Sequence, residues 1–426
     1  RQGHHPMSFQ QGLSGLNASS KNLEIIGNNI ANANTFGTKV ARAEFSDVYA
    51  AALNGAGANP VGIGTRLAAV AQQFTQGSIT TTENPMDLAI NGPGFFQLTD
   101  GKSPVTFTRN GQFKVDRDGY IVNNGLQRLM GYAANALGEI QPGQAVALQL
   151  PTGGVSPAPT SRVGLEMNLD ARQGITAPTV GAAIDFNDSD TYNNATSLTV
   201  FDAKGQEVAL TYYFQKSATD TWNVFATANG NTVAGVNGAP LPVTTITFPP
   251  DGSRPTAPIG TVAFDVHATL TSQGADTLPI IGVLLDVDSA TQFGSAFGVT
   301  NMQQDGFAAG LLTAIAIENN GIVTARYSNG QSRPAGQIEV ATFRNPQGLQ
   351  PIGDNAWART YASGEPVAGV PGDGNLGALQ AGALEESNID LTGELVAMIT
   401  AQRIYQANAQ TIKTQDQVLQ TLVNLR

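Results

Sequence analysis

Residues that could do acid–base, nucleophilic or metal chemistry are scarce in this chain. Outside His4 and His5, which sit in an RQGHHP stretch before Met7, there is one histidine, His267. It lies in the run 262–269, where Val262, Phe264 and Val266 alternate onto one face and His267 falls on the other with Asp265 and Thr269. That alternation reads as a strand with a solvated polar side, so no catalytic role is expected of the histidine. Cysteine is absent, which excludes a disulfide framework, a thiolate metal site and a Cys nucleophile. No G-x-S-x-G, H-E-x-x-H or phosphate-binding G-x-x-x-x-G-K motif occurs.

Two weaker patterns remain. Gly372, Gly374 and Gly377 match G-x-G-x-x-G. No strand pattern precedes them, Asp373 would repel a phosphate, and Gly382 disfavours a helix directly after, so the segment reads as a flexible linker. Asp185, Asn187, Asp188 and Asp190 cluster before Tyr192. A calcium-binding EF-hand loop would want Gly at 190 and Glu at 196, where the chain has Asp190 and Thr196. A solvated loop is the default reading there, with incidental calcium binding the alternative. The expectation is a non-enzyme with no catalytic residue, no metal and no cofactor.

What the chain does carry is periodicity at its two ends. Apolar or small residues run Phe9, Leu13, Leu16, Ser20, Leu23, Gly27, Ile30 in alternating steps of four and three, a heptad seam. The same spacing gives Leu391, Leu395, Met398, Gln402, Tyr405, Ala409, Ile412, Asp416, Leu419 and Val423. Ser387 or Asn388 is placed to cap the second helix, and Ser387 with Asp390 fits a weak capping box. A helix of roughly 35 residues spans about 50 Å. Neither stripe can be buried alone, so the two helices are expected to pair, within or between subunits.

Between the ends the chain reads as strands. Asx-Gly pairs recur at Asn91, Asp100, Asn110, Asp118, Asn124, Asp305, Asn320 and Asn329, and favour type I′ hairpin turns. Around them apolar residues alternate, as at Phe113 and Val115 or Tyr120 and Val122. A second meander runs through Leu198 and Val200, then Val208, Leu210, Tyr212 and Phe214, then Trp222, Val224 and Ala226. Pro/Gly/Ser-rich stretches at 151–161, 236–260 and 366–377 mark boundaries or surface loops.

The expected plan is a mainly β multidomain body with α-helical ends that pair as a coiled coil on assembly. Residues 1–6 form an appendage, 7–37 an N-terminal helical assembly segment and 38–76 a connecting segment. An inner β domain takes 77–150 plus 291–362, an outer β domain is inserted at 151–290, and 363–386 is a linker. Residues 387–426 form the C-terminal helical assembly segment.

Composition sets the partners. The net charge of −11 argues against nucleic acid and anionic membranes. Thirteen acidic against five basic residues between 152 and 300 place the acidity in the middle of the chain, while the ends are nearly neutral. Charged residues make up 13%, about half the usual quarter, which suits extensive contact with copies of itself. No apolar run is long enough to span a membrane and no signal-peptide h-region is visible.

Specific words accompany the period. Asn28-Asn29-Ile30-Ala31-Asn32-Ala33-Asn34-Thr35 resembles the N-terminal signature of flagellar rod, hook and hook-associated proteins. Ser387-Asn388-Ile389-Asp390-Leu391, Glu394-Leu395-Val396, Ala401-Gln402-Arg403 and Tyr405-Gln406-Ala407-Asn408-Ala409 resemble the matching C-terminal signature. Met86-Asp87-Leu88-Ala89-Ile90-Asn91-Gly92 with Gly94-Phe95-Phe96 is similar to the module that hook and rod proteins share. The three blocks keep the family's order and span nearly the whole chain. One departure is Phe36-Gly37-Thr38-Lys39, where the family usually has Gly, an aromatic and Lys.

The resemblance implies a structural subunit of the flagellum, extracellular and exported without a cleaved signal peptide. Its terminal helices would form an inner coiled-coil tube, disordered before assembly, with Gln402 and Asp416 helping to set register. Implied partners are the chain itself, the distal rod protein, the hook cap protein, the hook–filament junction protein and the export apparatus. The long insertion, with 196–226 similar to the outer domain of hook members, favours hook members over the shorter rod members. A distal rod or other axial protein is the nearest alternative. A secreted β-rich hydrolase or adhesin is the alternative from another class, but a hydrolase lacks convergent titratable groups here and an adhesin needs no heptads at both ends.

Overall fold

The computed structural model describes residues 7–49, 62–135, 138–177, 184–236, 239–269 and 276–424. The appendage at 1–6 lies outside them. The chain divides into two units, one holding 1–152, 314–326 and 332–426, the other 153–313 and 327–331.

The first unit begins and ends in helix. Helix α1 (Met7–Ala31) contains no proline and ends in a turn, with the Asn32 amide donating to Asn28 O. Helix α2 (Leu391–Asn424) starts where the Asp390 carboxylate accepts the Thr392 amide at 3.0 Å, an N-cap bond, so the cap is Asp390 rather than Ser387 or Asn388. The expected connecting segment at 38–76 is mostly a long antiparallel hairpin, β1 (Ala41–Tyr49) against β2 (Gly62–Gln72). An isolated two-stranded hairpin is marginal in water, and this one packs against α1.

The rest of the unit is an antiparallel body. Strand Phe95–Thr99 pairs with Thr106–Thr108, Arg128–Ala133 and Val340–Thr342. One core gathers Leu88, Ile90, Phe96, Leu98, Ile121, Leu129, Ile338 and Val340. A smaller aromatic core joins Phe95, Phe107, Phe343 and Trp357, with Phe74 packed edge-on to Phe95 and Trp357.

The expected linker at 363–386 is not one throughout. Ala378–Ala381 pairs with Leu88–Asn91, and Ala383–Glu385 pairs with Ile79–Thr81. Leu379, Ala383, Leu384 and Glu385 are buried there. The glycines before these strands fit a tight path: the Gly377 amide donates to Pro93 O, and a β-carbon on Gly377 would lie 2.7 Å from Ile90 Cγ2.

The second unit stacks two sheets. One is antiparallel, with Asn194–Phe201, Glu207–Ala218 and Thr221–Ala228 in sequence and Thr244–Thr247 on the far edge. Val208, Leu210, Tyr212, Phe214, Trp222, Val224 and Ala226, alternating in the sequence, are all buried. The other sheet runs Val262–Val266, Ile280–Asp286, Arg162–Asn168, Gly298–Gln304. Its last strand was expected in the inner domain. Ladder pairing of Met302 with Leu165 and packing of Val299 and Met302 on the core hold it here instead.

The hairpin turns also differ from expectation. At Asp118-Gly119, Asn320-Gly321 and Asn329-Gly330 only the glycine has positive φ, so these are not type I′ turns, which need it at both central residues. Both residues do have it at Asn229-Gly230 (φ 47° and 84°) and Asp354-Asn355 (φ 52° and 54°).

Candidate functional site

The two family-like signatures converge where both helices join the body. Each supplies one asparagine that clamps backbone. Asn29 Nδ2 donates to Ala41 O at 2.8 Å while its Oδ1 accepts the Ala41 amide at 3.0 Å, tying α1 to β1. Asn388 Oδ1 accepts the Val40 amide at 2.8 Å, and its Nδ2 donates to Gln73 O at 2.8 Å and to Thr75. One side chain before α2 thus holds both ends of the hairpin.

Beneath the clamps lies a buried ionic triad. Lys39 Nζ donates to Glu385 Oε1 at 2.6 Å, and both side chains are 0% exposed. Arg109 Nη1 meets Glu385 Oε2 at 3.0 Å. Backbone supplies further partners: Lys39 donates to Thr75 O, Arg109 Nη1 and Nη2 to Ile90 O and Gly92 O, and the Gly77 amide to Glu385 Oε1, while Arg109 Nε is buried without a partner. Pairing and hydrogen bonding of this kind offset much of the cost of burying the three charges. Burial pushes the Lys39 ammonium below its ordinary range, and the nearby Glu385 carboxylate opposes that. Arg109 is lowered by burial in the same way.

Gly37 lets the chain reach this point. Its φ is +72°, its amide donates to Glu385 O, and a β-carbon would lie 2.5 Å from the Asn110 amide nitrogen. Thr38, which stands in place of the family's usual aromatic, donates to Asn355 Oδ1 at 3.0 Å, and Asn355 Nδ2 returns a bond to Phe36 O.

The helices pack on each other within one chain, along a stripe beside the expected one. A β-carbon on Gly12 would lie 3.1 Å from Ile412 Cγ1, and one on Gly15 would lie 2.8 Å from Asn408 Oδ1. Ser19 and Ile26 continue the buried side of α1 at heptad steps from Gly12. On α2 the contact side passes through Ala401, which is 2% exposed, Asn408 and Ile412. Small residues make the close approach, Ile412 packs over Gly12, and Leu13, Leu391, Leu395, Val396 and Ile399 stay exposed.

The expected seam residues distribute accordingly. Leu13 is 45% exposed, and Leu16, Leu23, Ile30, Met398, Ala409 and Ile412 are half-buried. Leu391, Leu395 and Tyr405 are exposed. So are Gln402 and Asp416, which within the chain touch no register-setting contact; Asn408 against Gly15 is placed to do that instead. The side chains of Phe9 and Leu419 lie outside the described residues, as does that of Val423. Of the motif residues, Asn28, Ala31, Arg403 and Gln406 are exposed, while Asn32 Nδ2 donates to Asn28 O.

Sequence reasoning missed the triad. No local pattern marks it, because Lys39, Arg109 and Glu385 lie far apart in the chain. Of the patterns set aside earlier, His267 is exposed, and Asp185 and Asp188 accept from their own loop's amides. Among the described residues no three His, Asp or Glu side chains gather as for a metal ion, and no helix is long and apolar enough to cross a membrane.

Comparison with known proteins matches this architecture segment by segment. Residues 9–39 match the flagella basal body rod protein model, and 380–425 match the C-terminal model of the flagellar basal body rod FlgEFG proteins. Residues 89–201 match the D1 domain of flagellar hook protein FlgE/F/G, and 168–307 match the flagellar basal body protein FlaE D2 domain. These define the class, an axial structural protein of the bacterial flagellum. Flagellar hook protein FlgE of Salmonella typhimurium is 40% identical, over 99% of this chain and 100% of its own length. The same protein of Escherichia coli is 39% identical over 99% and 100%, and that of Borreliella burgdorferi 33% over 98% and 99%. The crystal structure of Helicobacter pylori flagellar hook protein FlgE2 is 15% identical, with a TM-score of 0.49, covering 72% of this chain and 99% of that one. The chain belongs to the flagellar hook protein FlgE family and is a structural subunit of the flagellar hook.

Proposed function

We propose that this subunit polymerises into a curved helical tube through the outward faces of its paired terminal helices, and that the tube acts as a flexible joint between rod and filament. The supporting observation is the apolar surface that α2 leaves uncovered, in which Leu391, Leu395 and Ile399 line up in a row four residues apart. Leu391, Leu395, Val396, Ile399, Ile404, Tyr405 and Val418 are all exposed, although a polar surface helix would normally keep such residues inside. A second copy supplies the missing cover, and head-to-tail contacts that do not close into a ring generate a helical filament. The exposed motif residues Asn28, Gln402, Arg403 and Gln406 take part in those contacts.

The role is mechanical rather than enzymatic. The chain is exported unfolded, which its lack of cysteine suits. It meets the distal rod protein, the hook cap protein and the hook–filament junction protein at the tube's ends. Low-charge contacts between β domains of neighbouring subunits slide at little cost as protofilaments shorten and lengthen during rotation. Electron microscopy of overexpressed polymer tests the reading: curved tubes support a hook, and straight tubes would favour a rod role.

A further inference from the structure

Asn-Gly pairs carry a chemistry of their own besides their use in turns. The glycine amide nitrogen can attack the asparagine side-chain carbonyl when that carbonyl is free to swing onto it and the amide is not already donating. Six such pairs lie in the described residues, and five are restrained. The Gly92 amide donates to Gln76 Oε1, and Gln76 Nε2 reaches Asn91 Oδ1. Asn110 Oδ1 accepts the Gln112 amide. Asn229 Oδ1 accepts the Ala209 amide, and its Nδ2 donates to Thr269. Asn320 Oδ1 accepts the Ile322 amide and the Gly321 amide donates to Glu318 O. Asn329 Oδ1 accepts the Gln331 amide, and the Gly330 amide donates to Tyr327 O.

Asn124-Gly125 is the exception. Both residues are exposed, and among the described residues neither the Asn124 side chain nor the Gly125 amide makes a hydrogen bond. The turn around them is held by Asn123 instead, whose Oδ1 accepts the Gln127 amide at 2.9 Å. A β-carbon on Gly125 would meet only the Asn123 side chain, so nothing crowds the ring that must form.

We propose that Asn124 is a site of self-catalysed deamidation, with water as the co-reactant. The Gly125 nitrogen, having lost its proton, bonds to Asn124 Cγ; the Cγ–Nδ2 bond breaks and ammonia leaves, giving a five-membered succinimide. Water then opens the ring at either carbonyl, leaving aspartate or β-linked isoaspartate. Ammonia is exchanged for water and nothing is oxidised or reduced. The product carboxylate stands in a cleft of about 510 Å³ whose lining includes Asn32, Thr35 and Asp354 but no lysine or arginine. The modification therefore adds negative charge beside an existing aspartate, next to the end of α1.

The test is timed incubation of the folded full-length chain in mildly alkaline buffer, followed by peptide mass mapping and isoaspartate methyltransferase labelling, with fragmentation to separate Asn123 from Asn124. The peptide carrying Asn124 is expected to deamidate several-fold faster than those carrying Asn91, Asn110, Asn229, Asn320 and Asn329. In urea the six rates should converge, and Gly125→Ala should remove the product at Asn124 in the folded chain. Equal rates in the folded chain, a faster rate at any of the other five, or product that persists at Asn124 in Gly125→Ala would overturn the proposal.

Discussion

Lys39 and Glu385, 346 positions apart, form a 2.6 Å ion pair from which solvent is fully excluded. The pair joins the chain just after the first helix to the chain just before the second. Both helices therefore hang from one buried point in the β body. With Arg109 on the other carboxylate oxygen, that point holds two cations and one anion.

The three members should not be equivalent. Removing the anion in Glu385→Gln strands two buried cations, a change that typically costs about 3–5 kcal/mol. Lys39→Met leaves a neutral Arg109–Glu385 pair and loses mainly hydrogen bonds, so it should cost less than half as much. Urea unfolding of the first unit's transition checks the order, and an equal loss in both variants would contradict it.

The triad should also tilt stability with pH. The Lys39 ammonium is held below its ordinary 10.5 by burial. Between the folded and unfolded values the unfolded chain binds the extra proton, so stability rises with pH through that window. Wild type should therefore gain on Lys39→Met as pH climbs from the folded value toward 10.5. The difference in urea midpoints, measured across that range, should grow in the wild type's favour.

Asn388→Ala should loosen the start of α2 from the hairpin, while Asn29 keeps α1 tied to β1. It strips the Val40 amide, Gln73 O and Thr75 of their partner. Leaving such groups unsatisfied costs on the order of 1–3 kcal/mol each, less where water can reach them. Limited proteolysis should cut α2 faster in this variant, with the β body intact.

The close approach of α1 and α2 depends on absent side chains. Gly12→Leu with Gly15→Leu would drive atoms into Ile412 and Asn408. Leucine is the better helix former by roughly 0.8 kcal/mol per site, so the helix itself should strengthen while the pair separates. Unchanged helical circular dichroism with faster cleavage of α2 is the expected combination.

The insertion can be removed cleanly at only one place. A deletion of 151–290 takes Arg162–Asn168 away from Gly298–Gln304 and leaves an open strand edge. Replacing 153–313 by a short linker removes the whole unit apart from 327–331. The second variant should stay soluble and form tubes of altered curvature, and the first should aggregate.

Much of this was legible in the sequence. The alternation through Tyr212, Phe214 and Trp222 marks buried positions directly, because a strand's side chains have period two. The helices were legible from their period, but not their contact side. A seam search favours leucine, whereas Gly12, Gly15 and Ala401 approach because they are small. The strand Gly298–Gln304 was assigned to the wrong unit because polar Asn301, Gln303 and Gln304 hide its pairing. The triad was invisible for a similar reason: nothing local in Lys39, Arg109 or Glu385 announces a partner hundreds of positions away.

The central claim is that the uncovered row on α2 drives polymerisation. Leu395→Ser with Ile399→Ser alters two exposed residues and no described contact with α1, so the monomer should keep its circular dichroism. Sedimentation and electron microscopy of this variant under polymerising conditions give the most direct test. The account predicts a folded monomer that forms no tubes; tubes of wild-type length and curvature would contradict it.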